Sequence, residues 1–125
     1  FCSGDACRNN LGDWETRHIA SGDGDRDFWF YAAKDIAMSN LADYGFMIWG
    51  GESVGTLHNI LNLVDNGKLV VVYFSPETRF VNVRTLTELE SLLRRCPASA
   101  VQKFDKRLGL TARMHSRQGD LGLAQ

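Results

Sequence analysis

The segment Leu69-Val70-Val71-Val72-Tyr73-Phe74 is apolar at every position. It is far shorter than the roughly 18 residues a membrane span needs, and it has the length of a strand. Without polar alternation it predicts a strand covered on both faces, as in parallel sheets between helices. The residues before it agree. Leu57, Ile60, Leu61 and Val64 fall on one face of a helix, and Asn66-Gly67 is a C-terminal stop for it. Upstream again, residues 42–49 have strand character, with Tyr44, Phe46, Met47, Ile48 and Trp49 close together. Strand, helix, strand in this order predicts an α/β chain with a parallel sheet and right-handed crossovers.

The same reading extends to both sides. Trp29, Ala32, Ala33, Ile36 and Ala37 mark a helix over 27–41, with Asp25 or Asp27 as its cap. Pro76 ends the apolar strand, and residues 79–83 predict a short strand. Leu86, Leu89, Leu92 and Leu93 line a helix over 85–95, and Pro97 starts another over 98–108. Residues 3–25 are polar and Gly-rich and predict a long loop after a strand stub at Phe1. Residues 111–125 predict a loose tail behind a domain of residues 1–110. Two central strands and a stub make a poor core alone. Further strands upstream of Phe1, or a partner chain, are the expected remedies.

Composition narrows the function. Fourteen Lys and Arg against fifteen Asp and Glu give a net charge of -1. No basic excess exists to grip a phosphate backbone, so direct nucleic-acid binding is not expected. The three cysteines, Cys2, Cys7 and Cys96, and the scattered His18, His58 and His115 lack the paired spacing of a zinc site. Reduced thiols in a cytoplasmic protein, with neither metal nor cofactor, are the expectation.

The segment with chemical content is Gly50-Gly51-Glu52-Ser53-Val54-Gly55-Thr56, between strand and helix. Glycines admit a ligand close to the backbone, and free N–H groups at a helix start attract anions. It is neither a Walker A loop nor a G-x-G-x-x-G turn, and a plain tight connection explains it as well. Arg8, Asn9 and Asn10 lie in the loop after the first stub, where Arg and Asn suit phosphate, base or ribose hydroxyls. Trp14 and Trp49 are candidate stacking rings, and His58 is a candidate acid or base.

Two further stretches, Tyr31-Ala32-Ala33-Lys34-Asp35-Ile36-Ala37-Met38 and Ala42-Asp43-Tyr44-Gly45-Phe46, add specificity. With the Gly-rich turn they resemble the superfamily of Lonely Guy (LOG) phosphoribohydrolases and DprA-like proteins, and also nucleoside 2-deoxyribosyltransferases. The resemblance covers about 27–74. In it Lys34 stands where the family has a helix arginine, Met38 and Asp43 keep the family spacing, and Gly50, Gly51, Gly55 and Thr56 match the phosphate turn. It implies a Rossmann-like parallel sheet with flanking helices, incomplete at the N-terminus, because the family's first strand and Gly-rich loop would precede Phe1. It also implies a nucleotide or nucleoside ligand held by Lys34, Gly50, Gly51, Gly55 and Thr56, to which residue chemistry adds Arg8, Asn9 and Ser53, and it implies a homodimer. The thin sheet itself predicts an apolar surface near Trp29, Tyr31 or Trp49.

One departure affects catalysis. Three residues after the turn's Thr the family's glycosidases carry Glu, and here Asn59 stands there. An amide is neither a carboxylate nucleophile nor a general base. Asp35, with Glu52 behind it, is the carboxylate that can substitute. Asp35 and Asn59 are therefore the catalytic candidates. A nucleotide-binding module is the expected function, with an N-glycosidase or deoxyribosyltransferase as the alternative.

Overall fold

The apolar run does form a strand, and its neighbours show how the sheet is built. The computed structural model describes residues 1–8, 10–20 and 28–113. In chain order the elements are β1 (Cys2–Ser3), β2 (His18–Ile19), α1 (Phe28–Leu41), β3 (Gly45–Trp49), α2 (Val54–Asp65) and β4 (Val70–Phe74). A turn of 3-10 helix (Ser75–Glu77), β5 (Arg79–Val83), α3 (Leu86–Leu93) and α4 (Ala98–Leu108) follow. The protein is mixed α/β, with two small sheets. Among the described residues no helix is long and apolar enough to cross a membrane.

The main sheet has the order β3-β4-β5. β3 and β4 are parallel, with Gly45 opposite Val70 and Trp49 opposite Phe74, and α2 forms the crossover between them. β5 departs from the expected parallel sheet: it runs antiparallel to β4, with Val72 opposite Val81. The cause is the short link between the strands. A parallel return needs a crossover of roughly a dozen residues. Here Pro76 opens a single 3-10 turn and Thr78, at φ 47°, reverses the chain.

The core lies on one side of this sheet. Trp49, Val70, Val72, Phe74 and Val83 point into it and meet Leu57, Ile60 and Leu61 of α2, Leu89 and Leu92 of α3 and Phe104 of α4. Ser53 caps α2, Thr85 caps α3 by accepting from the Glu88 N–H, and Gly109 ends α4 in the left-handed region at φ 61°. α1 packs against α2 rather than on the other side of the sheet. The expectation that β4 is covered on both faces is therefore corrected. Phe46, Ile48 and Phe80 on the second face are exposed, and Val71 and Tyr73 between them are half-buried. The Phe80 ring lies 5.1 Å from Tyr73 and 6.3 Å from Phe46. This sheet face is thus exposed apolar surface, and Trp29, Leu41, Tyr44 and Trp14 are exposed elsewhere. Trp49, expected near the surface, is 1% exposed.

The stub at the start, β1, stays out of the main sheet. It pairs in parallel with β2, which arises inside the segment expected to be loop, with Cys2 opposite His18 and Ser3 opposite Ile19. Ser3 fastens this ribbon to α1: its hydroxyl accepts from the Lys34 N–H at 3.1 Å and lies 3.4 Å from the Tyr31 carbonyl, to which it donates. At the other end, residues 110–113 form a further helical turn. Leu110 is buried in the core, and Arg113 bonds Asp65 at 2.7 Å. The packed structure therefore runs past the start of the expected tail, whose residues 114–125 lie outside those described.

Candidate functional site

The Gly-rich turn comes first, because the ligand was expected over it. Ser53 is the N-cap of α2, and its hydroxyl accepts from the Thr56 N–H at 3.3 Å and the Thr56 hydroxyl at 3.2 Å. One N–H of the helix start is thereby already engaged. Gly51 is buried at φ 83°, and a Cβ there would lie 3.1 Å from the Phe74 ring and 3.3 Å from Cys96 Sγ. Its lack of a side chain answers to this close packing. At Gly55 a Cβ would meet only Ser53 Oγ, at 4.0 Å. The Trp49 indole donates to the Ser53 carbonyl at 3.1 Å, so the ring expected to stack on a base instead braces the turn from the core.

Two concavities lie elsewhere, and neither is lined by a residue of 50–56. The larger, about 330 Å³, lies between β1, the chain that follows it and α1. Phe1, Cys2, Ser3, Ala6, Arg8, Phe30, Tyr31 and Lys34 line it. The Arg8 guanidinium lies over the Tyr31 ring, 4.3 Å from its centre, a cation–π contact. Lys34 Nζ donates to Asp35 at 2.8 Å and to the Tyr31 carbonyl at 3.3 Å. Arg8 and Lys34, expected to bind ligand, therefore meet in one place. Asn9 lies outside the described residues.

The smaller recess, about 180 Å³, opens along the seam of α1 and α2 beside Met38, Tyr44 and Met47. Asp35 and Asn59 both line it, and the Asn59 amide donates to Asp35 at 3.4 Å. The two catalytic candidates are therefore in contact. Each Asp35 oxygen is engaged, one by Lys34 and the other by Asn59. Asn59 Oδ1 is buried without a hydrogen-bond partner. Asp43 and Glu52 are exposed.

His58 lines neither concavity. It is 4% exposed, edge-on to the Phe28 ring at 5.5 Å and the Trp29 ring at 5.3 Å. Burial holds its pKa below the ordinary 6.5; the Arg113 charge adds to this, and Asp35 opposes it. The folded protein therefore keeps this imidazole neutral where the unfolded chain takes up a proton. As pH falls below 6.5 the unfolded state binds more protons, so stability decreases. Urea unfolding at stepwise lower pH is expected to show this loss, limited to about 1.4 kcal/mol per pH unit for one proton. His58→Phe is expected to flatten the slope. An unchanged slope would assign the acid sensitivity to other groups.

The cysteines differ from expectation. Cys2 and Cys7 are joined as a disulfide, with Cα atoms 5.1 Å apart, while Cys96 is free and buried. Burial pushes the Cys96 thiol up to about 11. Cys2, Cys7 and His18 gather at the ribbon, one donor atom from each lying within 4.8 Å of the others. Spacing along the chain does not reveal this group, because β1–β2 pairing brings His18 across from Cys2.

No family model, curated protein or solved structure matches the chain. Each side chain's role therefore follows from its own surroundings. Ser3, Phe30 and Tyr31 join Arg8 and Lys34 as lining residues that the sequence reading did not select, since only the packing of β1 on α1 brings them together.

Proposed function

We propose that this protein is a Rossmann-like domain that binds a nucleotide or nucleoside. The observation that carries the reading is the convergence of Arg8 and Lys34 on one cavity that also presents Phe1, Phe30 and Tyr31. Guanidinium and ammonium groups suit a phosphate, and aromatic rings offer a stacking surface for a base. A volume of about 330 Å³ falls within the range of small-molecule sites. The superfamily resemblance of residues 27–74 points to the same ligand class, although it puts the phosphate over Gly50–Thr56 instead.

N-glycosidic cleavage is the second reading, and the contact between Asp35 and Asn59 favours it. Against it, the amide cannot attack an anomeric carbon or take a proton from water, and Asp35 is already tied to Lys34. Binding without turnover is the expected behaviour.

Calorimetric titration with nucleoside monophosphates tests both readings, with base release followed in the same samples. Arg8→Gln and Lys34→Gln are each expected to weaken binding about tenfold or more, the usual worth of a charge-assisted hydrogen bond. Gly55→Val is expected to leave affinity unchanged. Affinity lost in Gly55→Val and kept in Arg8→Gln would move the ligand to the turn. Absence of binding by every nucleotide refutes the binding reading. Base release that survives Asp35→Asn refutes the assignment of the catalytic candidates.

A further inference from the structure

The geometry points to a zinc site made by Cys2, Cys7 and His18 when the Cys2–Cys7 bond is reduced. This goes beyond the binding reading above and does not depend on what fills the cavity. Three observations bring the ligands together. β1–β2 pairing, held by Cys2 N–H to the Arg17 carbonyl at 2.8 Å and Gly4 N–H to the Ile19 carbonyl at 2.9 Å, sets His18 opposite Cys2. Gly4, at φ 74°, turns the chain back so that the Cα of Cys7 comes to 5.1 Å from that of Cys2. The donor atoms of all three residues then lie within 4.8 Å of one another. Tetrahedral zinc, with Zn–S near 2.3 Å and Zn–N near 2.0 Å, wants its donors about 3.5–4 Å apart. Side-chain rotation of Cys7 and His18 covers the difference, since neither is buried.

The histidine's tautomer also suits the task. Its Nδ1 lies 2.9 Å from the Gly4 carbonyl, which can only accept, so Nδ1 carries the proton. Nε2 keeps its lone pair, and among the described residues the Thr16 hydroxyl lies 3.5 Å from it. A ring N–H given to a backbone carbonyl is the usual outer-shell support of a metal-bound imidazole. Two thiolates and an imidazole form a soft donor set that selects zinc over magnesium or calcium. Three protein ligands leave a fourth position for water or another ligand, as in catalytic zinc sites. Cys2 also lines the 330 Å³ cavity, so the metal would lie at the cavity's edge.

The chemistry balances with a dithiol reductant. Its two thiols pass two electrons and two protons to the Cys2–Cys7 bond and close into a disulfide of their own. Zinc then displaces both protons from the freed thiols. The oxidised chain has no thiolate to offer there and binds no metal.

The test uses the full chain, reduced and freed of reductant under inert gas, titrated with Zn²⁺ against a chromophoric competitor and separately with Co²⁺. One equivalent is expected, with the strong visible bands of tetrahedral cobalt and a thiolate charge-transfer band. Oxidation of the same sample is expected to abolish both, which needs no mutation. His18→Gln is expected to weaken binding at least tenfold, and Cys7→Ser to weaken it likewise and to lower the thiolate charge-transfer band to that of one sulfur. Cys96→Ser is expected to change neither. Octahedral cobalt, less than one equivalent bound, or full affinity in His18→Gln would each overturn the site. Circular dichroism on each variant separates loss of ligand from loss of fold.

Discussion

Phe104→Ala is expected to lower the free energy of unfolding by about 3–5 kcal/mol, the usual cost of deleting a buried aromatic ring. Phe104 is 0% exposed and anchors α4, and its ring lies 5.8 Å from Trp49, which in turn lies 6.0 Å from Phe74. The ring therefore joins the last helix to β3 and β4 at once. Its removal leaves a hole that the fixed sheet cannot collapse around, so the cavity cost adds to the transfer cost. Domains of this size have about 5–15 kcal/mol in all, so the loss is a large share of the total. Urea unfolding followed by tryptophan fluorescence measures the change. Lys103→Ala on the exposed side of α4 serves as control, expected within about 0.5 kcal/mol of the parent. A loss below about 1 kcal/mol for Phe104→Ala would contradict the docking of α4 on Trp49.

Gly51→Val is expected to cost about 3 kcal/mol, the sum of a left-handed backbone penalty and overpacking. The backbone at φ 83° disfavours any side chain, a β-branched one most of all. The new Cβ would also press on the Phe74 ring and Cys96 Sγ, both held in the core. Gly55→Ala is expected to act oppositely and stabilise by up to about 1 kcal/mol, because Gly55 is helical and its Cβ position is open. The two glycines of one turn thus differ in sign. Thermal unfolding of both variants checks this. Equal shifts would mean that the turn's conformation is not what restricts Gly51.

Local pattern predicted local structure well here. The stripe Leu57, Ile60, Leu61 and Val64 became the buried face of α2, and Leu89 and Leu92 did the same for α3. Strand direction was less legible. Residues 79–83 read as a strand, but the antiparallel return depends on the left-handed Thr78. The even apolar character of β4 implied two covered faces, because Val71 and Tyr73 look the same in sequence whether a layer or merely adjacent side chains shield them. In the candidate site, Arg8 and Asp35 stand out by chemical type, and Lys34 and Asn59 by their places in the family resemblance. A pair of Asp35 with Lys34 is legible from the sequence and is present, whereas the meeting of Arg8 with this helix is not. Lys34 stands next to Asp35 in the chain, yet Arg8 reaches that helix only because Ser3 ties the ribbon to α1. His18 escaped notice for the same reason: its nearness to Cys2 is a property of strand pairing and not of spacing.

The outer edge of β3 has a consequence for handling the protein. Gly45-Phe46-Met47-Ile48-Trp49 has no charge and no proline, and no described strand pairs with its free side. Natural sheets protect such edges with lysines, bulges or prolines, and β3 has none of them. Phe46 and Ile48 stand exposed beside the open row of N–H and C=O groups. Such a strand is a template on which other chains can add, as in fibril growth. Association of the folded protein is therefore expected to begin at this uncharged strand rather than at β5, the other edge of the sheet, which carries Arg79. Ile48→Lys is the substitution that would protect it at least cost, since that side chain already faces outward from the core.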